Sequence, residues 1–414
     1  MTIQGTLEEL LFRKVPLKKL IVSLSAEAMS QHFVEDIYGH RSWENRKIGE
    51  SAAPANMIRT RSHGPGVVSQ TQVCTIMKED TTISHFLNEL GVPYLVNNDR
   101  EFIAFDNSRS IQIKTVWLSL QNIAGIALHG LELDNIAGEC PEGEPFPLLR
   151  TIAQSQTCYR CDPSEYKRKD KNTTNENESE ISSLELPENS DVLEDINEED
   201  KTISLEKTAN NQTNRCLNYN EFLANFSVFC SLSLDNIDNI LPKIPFKYCN
   251  VLIIKNMAKL NGEGKTVDNL ENTKEKIEKI TNLNKNKKIN LWGEISCEMT
   301  QIQWEKIIND HKRERTVEAL NKFMSGNNLS GLLLDCDNFM RPPLRRDFKE
   351  KKNIIDELMD CKPRLALKIQ LSHENISEIY EPEQLNKLLK FILLPSGVAI
   401  SKARARVLNP LYAM

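Results

Sequence analysis

The stretch Glu101-Phe102-Ile103-Ala104-Phe105-Asp106-Asn107-Ser108-Arg109-Ser110-Ile111-Gln112-Ile113-Lys114-Thr115-Val116-Trp117-Leu118, followed by Ile123-Ala124-Gly125-Ile126-Ala127-Leu128, decides the fold class. Residues 101–105 form a short apolar run that suits a buried strand, 110–118 read as an amphipathic helix, and 123–128 suit a second buried strand. Strand, helix and strand in that order imply a parallel sheet and an α/β fold. A further run, Lys18-Lys19-Leu20-Ile21-Val22-Ser23-Leu24, supplies another strand upstream.

Working outward, the composition divides the chain into three. Residues 1–153 carry the strands just described. Between about 163 and 214, Lys, Asn, Glu, Asp, Ser and Thr dominate and no apolar period survives. Such a stretch buries too little surface to offset its ordering entropy, so 154–222 is expected to be a disordered linker. From 223 to 414 strands return at 223–230, 248–254, 288–292, 329–335, 364–371 and 388–394. Lys- and Glu-rich helical patterns lie between them, the rhythm of a (β/α) barrel that stops early.

The 414 residues include 40% hydrophobic and 27% charged residues, enough for a core and normal for a soluble protein. A net charge of −6 gives no footprint for a nucleic-acid partner. No apolar run reaches the roughly 20 residues that a membrane span requires. Ten cysteines and six sequons, at Asn172, Asn177, Asn211, Asn225, Asn328 and Asn375, favour a secreted glycoprotein. Met1-Thr2-Ile3-Gln4-Gly5 lacks the features of a signal peptide. The expectation that reconciles the two is an extracellular protein whose mature start is not Met1. Cys158 and Cys161 have a two-residue spacing, but only Cys216 stands near enough to extend it. A local or linker disulfide therefore competes with zinc binding there, and neither a metal nor a cofactor is expected.

A family resemblance attaches to Gly91-Val92-Pro93-Tyr94, the 101–114 run and the closing Asp134-Asn135-Ile136-Ala137-Gly138-Glu139-Cys140 with Pro147-Leu148-Leu149. In order and spacing these resemble the last third of the catalytic domain of glycoside hydrolase family 18, the chitinases and chitinase-like lectins. Val15 to Val22 resembles that family's sixth barrel strand, and the stretch ending Thr71-Gln72-Val73-Cys74 the end of its small insertion domain. Residues 223–414 resemble the front of the same domain more loosely, through Val228-Phe229-Cys230, 248–254, Lys288 to Glu294 and Leu329 to Asp337. The resemblance implies two partial (β/α)8 TIM barrels, the tail of one (strands six to eight) and the front of another (strands one to six). It leaves open a single permuted barrel assembled from both. It also implies disulfides joining Cys74 to Cys140 and Cys230 to Cys249, against the alternative of free buried thiols.

The family cleaves β-1,4-linked N-acetylglucosamine with the substrate's own acetamide as nucleophile, which requires a glutamic acid at the end of strand four. The family pattern there is Asp-x-x-Asp-x-Asp-x-Glu, and this chain carries Ser330, Leu333, Asp335 and Asp337 at those positions. Shortening the acid by one methylene withdraws its carboxyl by about 1.5 Å, and a misplacement of about 1 Å costs about a hundredfold in rate. Asp335 and Asp337 are therefore read as vestigial. The stretch Pro395-Ser396-Gly397-Val398 lacks the tyrosine and aspartate usual after strand six, and the tyrosine and arginine of the first region appear as Glu27 and Met29. Two sugar-stacking tryptophans align with Phe102 and His129, and Trp292 is the best remaining aromatic platform, ahead of Trp117 and Trp304. The expected function is a catalytically inactive binder of chitin or N-acetylglucosamine oligosaccharides. An active endochitinase and a non-functional gene fragment are the alternatives.

Overall fold

The structure, a computed structural model, describes residues 3–12, 14–33, 52–54, 66–88, 90–97, 101–141, 143–158, 226–234, 237–268, 273–284, 289–297, 303, 312–335, 364–368 and 391–394. The segment 154–222, expected from the sequence to be a linker, lies almost wholly outside them. Two strands from the first part of the chain, β1 (Leu20–Ser25) and β8 (Gly125–His129), pair with each other in parallel. Six more lie after residue 226: β9 (Ser227–Ser233), β10 (Val251–Leu260), β12 (Asn290–Cys297), β13 (Gly331–Asp335), β14 (Arg364–Lys368) and β15 (Phe391–Leu394). They pair in parallel in the order β9-β10-β12-β13-β14-β15. At one end β15 pairs β1, with Leu20 opposite Ile392 and Val22 opposite Leu394. At the other β8 pairs β9, with Gly125 opposite Ser227 and Leu128 opposite Cys230. The eight parallel pairings close a ring, and β11 (Thr266–Asp268) adds antiparallel to the end of β10.

The strand pairings differ from the expectation of two separate partial barrels, because residues 1–156 and 226–414 pack as one unit. Counted from β9, β1 stands seventh in the ring, between β15 and β8, and not sixth. The physical reason is edge pairing: six strands alone leave β9 and β15 with unsatisfied edges, and β1 with β8 fills both. The run at 101–105 does not enter the ring. As β7 (Glu101–Ala104) it sits in a separate antiparallel sheet ordered β3 (Ala52–Pro54), β2 (Ala28–Phe33), β7, β6 (Val92–Val96), β5 (Ile83–Leu87), with β4 (Val67–Val68) on β2. All four β7 residues are buried, since Phe102 packs with Tyr94 and Val96 while Ile103 packs with Leu95 and Val73. A strand covered on both faces reads the same in sequence whether it lies in a barrel or in a covered sheet.

Period-two alternation divides the ring strands between two apolar clusters. Leu20, Val22, Ile126, Leu128, Val228, Leu252, Ile254, Leu291, Leu332 and Leu334 face outward. Helices cover them with apolar positions spaced for one face: Ile3, Leu7 and Leu10 of α1 (Ile3–Phe12), and Ile277 and Ile280 of α5 (Thr273–Asn284). Val317, Leu320 and Phe323 of α6 (Lys312–Gly326) do the same. The alternate residues, Ile21, Ala127, Phe229, Ile253, Trp292, Leu333 and Leu393, fill the ring's interior.

Earlier helices are α2 (Gln70–Ile76), α3 (Ser108–Leu120) and α4 (Pro147–Cys158). Asn107 starts α3 through a capping box with Ser110. Within α3, Lys114 reaches back to Asp106 at 2.5 Å, both side chains being fully buried, and Ser110 Oγ donates to the same carboxylate oxygen. Burial pulls the Lys114 ammonium below the ordinary lysine range, and the Asp106 carboxylate opposes that pull. The structure joins Cys74 to Cys140 and Cys230 to Cys249. Cys297, at the end of β12, is also disulfide-bonded.

Two outcomes follow. A Cβ at Gly125 would lie 2.0 Å from the Ser227 carbonyl oxygen, so Gly125→Val should separate β8 from β9 and cost more than about 3 kcal/mol in urea unfolding. An unchanged midpoint would contradict the β8–β9 pairing. Lys114→Met strands the Asp106 carboxylate in the core and should cost about 3–5 kcal/mol, with Asp106→Asn added to it restoring part of the loss.

Candidate functional site

All eight ring strands are parallel, so their C-terminal ends share one face, the face on which (β/α)8 barrels carry their functional groups. Two positions beyond each interior apolar residue, the side chain again points inward. Applied strand by strand, Ile21 leads to Ser23, Ala127 to His129, Phe229 to Ser231, Ile253 to Lys255, Trp292 to Glu294, and Leu333 to Asp335. An apolar floor is therefore capped by a polar layer. Ser23, Ser231 and Glu294 are buried, and the side chains of Lys255 and His129 are 14% and 25% exposed.

The best-defined part of this layer spans β1, β8, β9 and β10. Lys255 Nζ lies 3.1 Å from His129 Nε2 and 3.9 Å from both Glu27 Oε1 and Glu132 Oε1. Glu27 Oε1 is 3.3 Å from the same His129 nitrogen, and Ser231 Oγ is 3.4 Å from His129 Nδ1. Backbone donors hold the frame: Gly130 N–H donates to Ser231 Oγ, Ser233 N–H to Glu132 Oε2, and Glu27 N–H to Ser25 Oγ. Gly130 adopts φ +73°, and a Cβ on it would come within 3.3 Å of Glu27 Cγ. Glycine thus permits both the left-handed turn after β8 and the passage of Glu27 across it.

The aromatic candidates occupy different surroundings. Trp292 is 1% exposed within the ring, edge-on to Phe229 at 6.2 Å and tilted against Phe391 at 6.0 Å. Among the described residues its indole N–H has no hydrogen-bond partner. Phe102 is fully buried in the antiparallel sheet, 5.3 Å from Tyr94. His129 stands in the mouth, half-exposed. Asp335 lies in the polar layer at the end of β13, half-buried, whereas Asp337, Trp304, residues 395–398, Cys161, Cys216 and the sequons Asn172, Asn177, Asn211, Asn225 and Asn375 fall outside the described residues. Asn328 is exposed in the turn after α6 with φ +52°. Among the described residues no group of His, Cys, Asp and Glu is arranged to hold a metal, and no helix is long and apolar enough to cross a membrane.

Sequence reasoning missed Lys255, Ser231, Glu132 and Glu294 as site residues. Stepping by two from Ile253 and Trp292 would have found Lys255 and Glu294.

Residues 1–134 match the model for glycosyl hydrolases family 18. A chitinase-like protein of Caenorhabditis elegans is 32% identical over 149 residues, 36% of this chain and 13% of that protein. The endochitinase of Brugia malayi is 31% identical over 108 residues, 26% of this chain and 21% of that enzyme. The chain thus spans less than a quarter of the length of either relative. Among solved structures, a chitinase from Bacteroides thetaiotaomicron superimposes with a TM-score of 0.35 at 16% identity, covering 42% of this chain and 54% of that one.

Removing one charge tests the mouth as a coupled unit. Lys255→Met and Glu132→Gln should each cost about 1–3 kcal/mol, because each strands a buried partner. The double variant should cost less than their sum by more than about 0.5 kcal/mol in a double-mutant cycle read by thermal unfolding. Strict additivity would show that the two groups do not interact.

Proposed function

We propose that this chain, whose residues 1–134 match the model for glycosyl hydrolases family 18, binds chitin or N-acetylglucosamine oligosaccharides without cleaving them. The observation that carries the reading is β13 together with the residues flanking it. The position at which the family carries its second strand-four aspartate is Leu333, a buried residue of the apolar floor. The position of the acid itself is Asp337. Leucine in place of an aspartate and an aspartate in place of the longer glutamic acid remove one carboxylate from the family's pattern and withdraw the acid's carboxyl by about 1.5 Å.

Binding survives this loss because it draws on other groups. Hydroxyl and acetamide groups of a sugar accept and donate hydrogen bonds, and the layer of Ser231, His129, Lys255 and Glu27 offers both kinds of partner. An extracellular location fits the two disulfides and the exposed sequon at Asn328. Cys74–Cys140 ties α2, which packs on the antiparallel sheet through Val73 and Ile76, to the segment after β8.

The reading is tested by incubating purified protein with a fluorogenic N-acetylglucosamine oligomer and, in parallel, with chitin beads. Retention on the beads, release by soluble oligomers and no fluorophore release are expected. Fluorophore release that disappears in Asp337→Ala would replace this reading with an active endochitinase. Failure to be retained on chitin would remove the glycan from it.

A further inference from the structure

Cys297 is disulfide-bonded, and its partner is none of the other four bonded cysteines, since Cys74 is joined to Cys140 and Cys230 to Cys249. Cys158, Cys161, Cys216, Cys336 and Cys361 remain, and the register of the ring tells them apart. Strands β12 and β13 pair in parallel from Trp292 opposite Gly331 to Ser296 opposite Asp335. The next residue on each chain is a cysteine, Cys297 on one and Cys336, just outside the described residues, on the other. Alternation assigns both to one face. Leu291 and Ile295 of β12 and Leu332 and Leu334 of β13 belong to the outer apolar cluster, and Cys297 packs against it. Position 336 is two steps beyond Leu334. Neighbouring strands run about 4.8 Å apart, within the roughly 4.4–6.8 Å that a disulfide spans between Cα atoms.

The other cysteines fit less well. Cys361 lies three residues before Arg364, which pairs with Gly331 at the opposite end of β13. Five residues along the strands and two strands across separate that level from Cys297 by about 19 Å, and three residues recover at most about 11 Å of it. Cys158 ends α4, whose first turn donates to Asp134 after β8 and whose Arg150 already stands over the Tyr248 ring, ahead of the start of β10. That helix runs away from the strand ends where Cys297 sits, and Cys161 follows it. Cys216 precedes Ser227, at the far end of β9, by eleven residues, and could arrive only by closing a long loop.

We propose that Cys297 and Cys336 form a third bridge, which bolts the C-terminal end of β13 to β12 on the face of the ring that carries the mouth. It fixes the backbone from which Asp335 enters the polar layer. The bond forms by exchange with a disulfide oxidant: one thiolate attacks it and a mixed disulfide results. The second thiolate displaces the oxidant's remaining sulfur, so two thiols lose two electrons and two protons and the oxidant leaves as a dithiol. The inference is independent of the glycan reading, because the bridge is mapped with no sugar present.

The test blocks free thiols of the full chain with N-ethylmaleimide during denaturation, digests it with trypsin without reductant and maps linked peptides by mass. Peptide N-glycosidase is included because Asn328 shares a tryptic peptide with Cys336. A linked pair carrying Cys297 and Cys336, which separates on reduction, is expected. Cys336→Ala should expose the Cys297 thiol to maleimide, and Cys297→Ala should expose that of Cys336. Hydrogen exchange then reads the positioning role: the amides of Ser296 and Asp335 should exchange about tenfold faster in the doubly substituted chain, with Ile253 in the middle of β10 unchanged. Linkage of Cys297 to Cys158, Cys161, Cys216 or Cys361 overturns the pairing, whatever the variants do. Unchanged exchange at Ser296 and Asp335 overturns the role of the bridge in holding the strand end.

Discussion

The parallel pairing of β8 with β9 is the constraint on which the rest of the structure depends. It brings residues more than a hundred positions apart into one ladder, with Gly125 opposite Ser227 and the Ser227 amide donating to the Ala124 carbonyl at 3.0 Å. A sheet that stopped at β9 would present a free edge, and its inner and outer apolar faces would lie open there. The pairing needs a residue without a side chain at 125, which the segment supplies. The same junction builds the mouth, since Glu27, His129 and Glu132 come from one side of it and Ser231, Ser233 and Lys255 from the other. The polar site exists only where the ring is closed.

Layering gives the mouth its chemistry. Below, Trp292, Phe229 and Phe391 meet edge to face or tilted, arrangements that favour aromatic pairs by about 0.5–1.5 kcal/mol beyond burial alone. These rings are spent on packing. Above them, charge and hydroxyl groups take the positions from which a ligand would be held, so recognition has to proceed through hydrogen bonds and ions. Low exposure of Lys255 and Glu132 strengthens those interactions and raises the penalty for leaving any one of them unmatched.

Much of this was legible in the residues. The α/β class was read from 101–128, and the family resemblance, resting on several segments, implied the two cysteine pairs that the structure joins. What was hidden is topological or local. Residues 101–104 are apolar on both faces, and burial alone does not say which sheet buries them. The seventh place of β1 in the ring depends on which edges remain free, a property of the assembled sheet. Lys255-Asn256 looks like the polar end of a strand. Instead β10 runs on to Leu260 through a register shift between Ile254 and Ala258, with Asn256 at φ +48°, and the lysine is turned inward at that irregularity. Trp292 drew attention as a platform because a large aromatic at a strand end suits either a surface or a core, and its neighbours Phe229 and Phe391 lie 63 and 99 positions away.

Cys74–Cys140 closes on itself within the first 156 residues, and Cys230–Cys249 within the segment after 226. Neither of these two bridges spans the β8–β9 or β15–β1 junctions. A pulling force applied to the two segments would therefore load hydrogen-bonded ladders and the Lys255 ion cluster in shear, with no covalent strut in parallel from either bridge. The ring should part along those two lines while each stapled portion keeps its own shape.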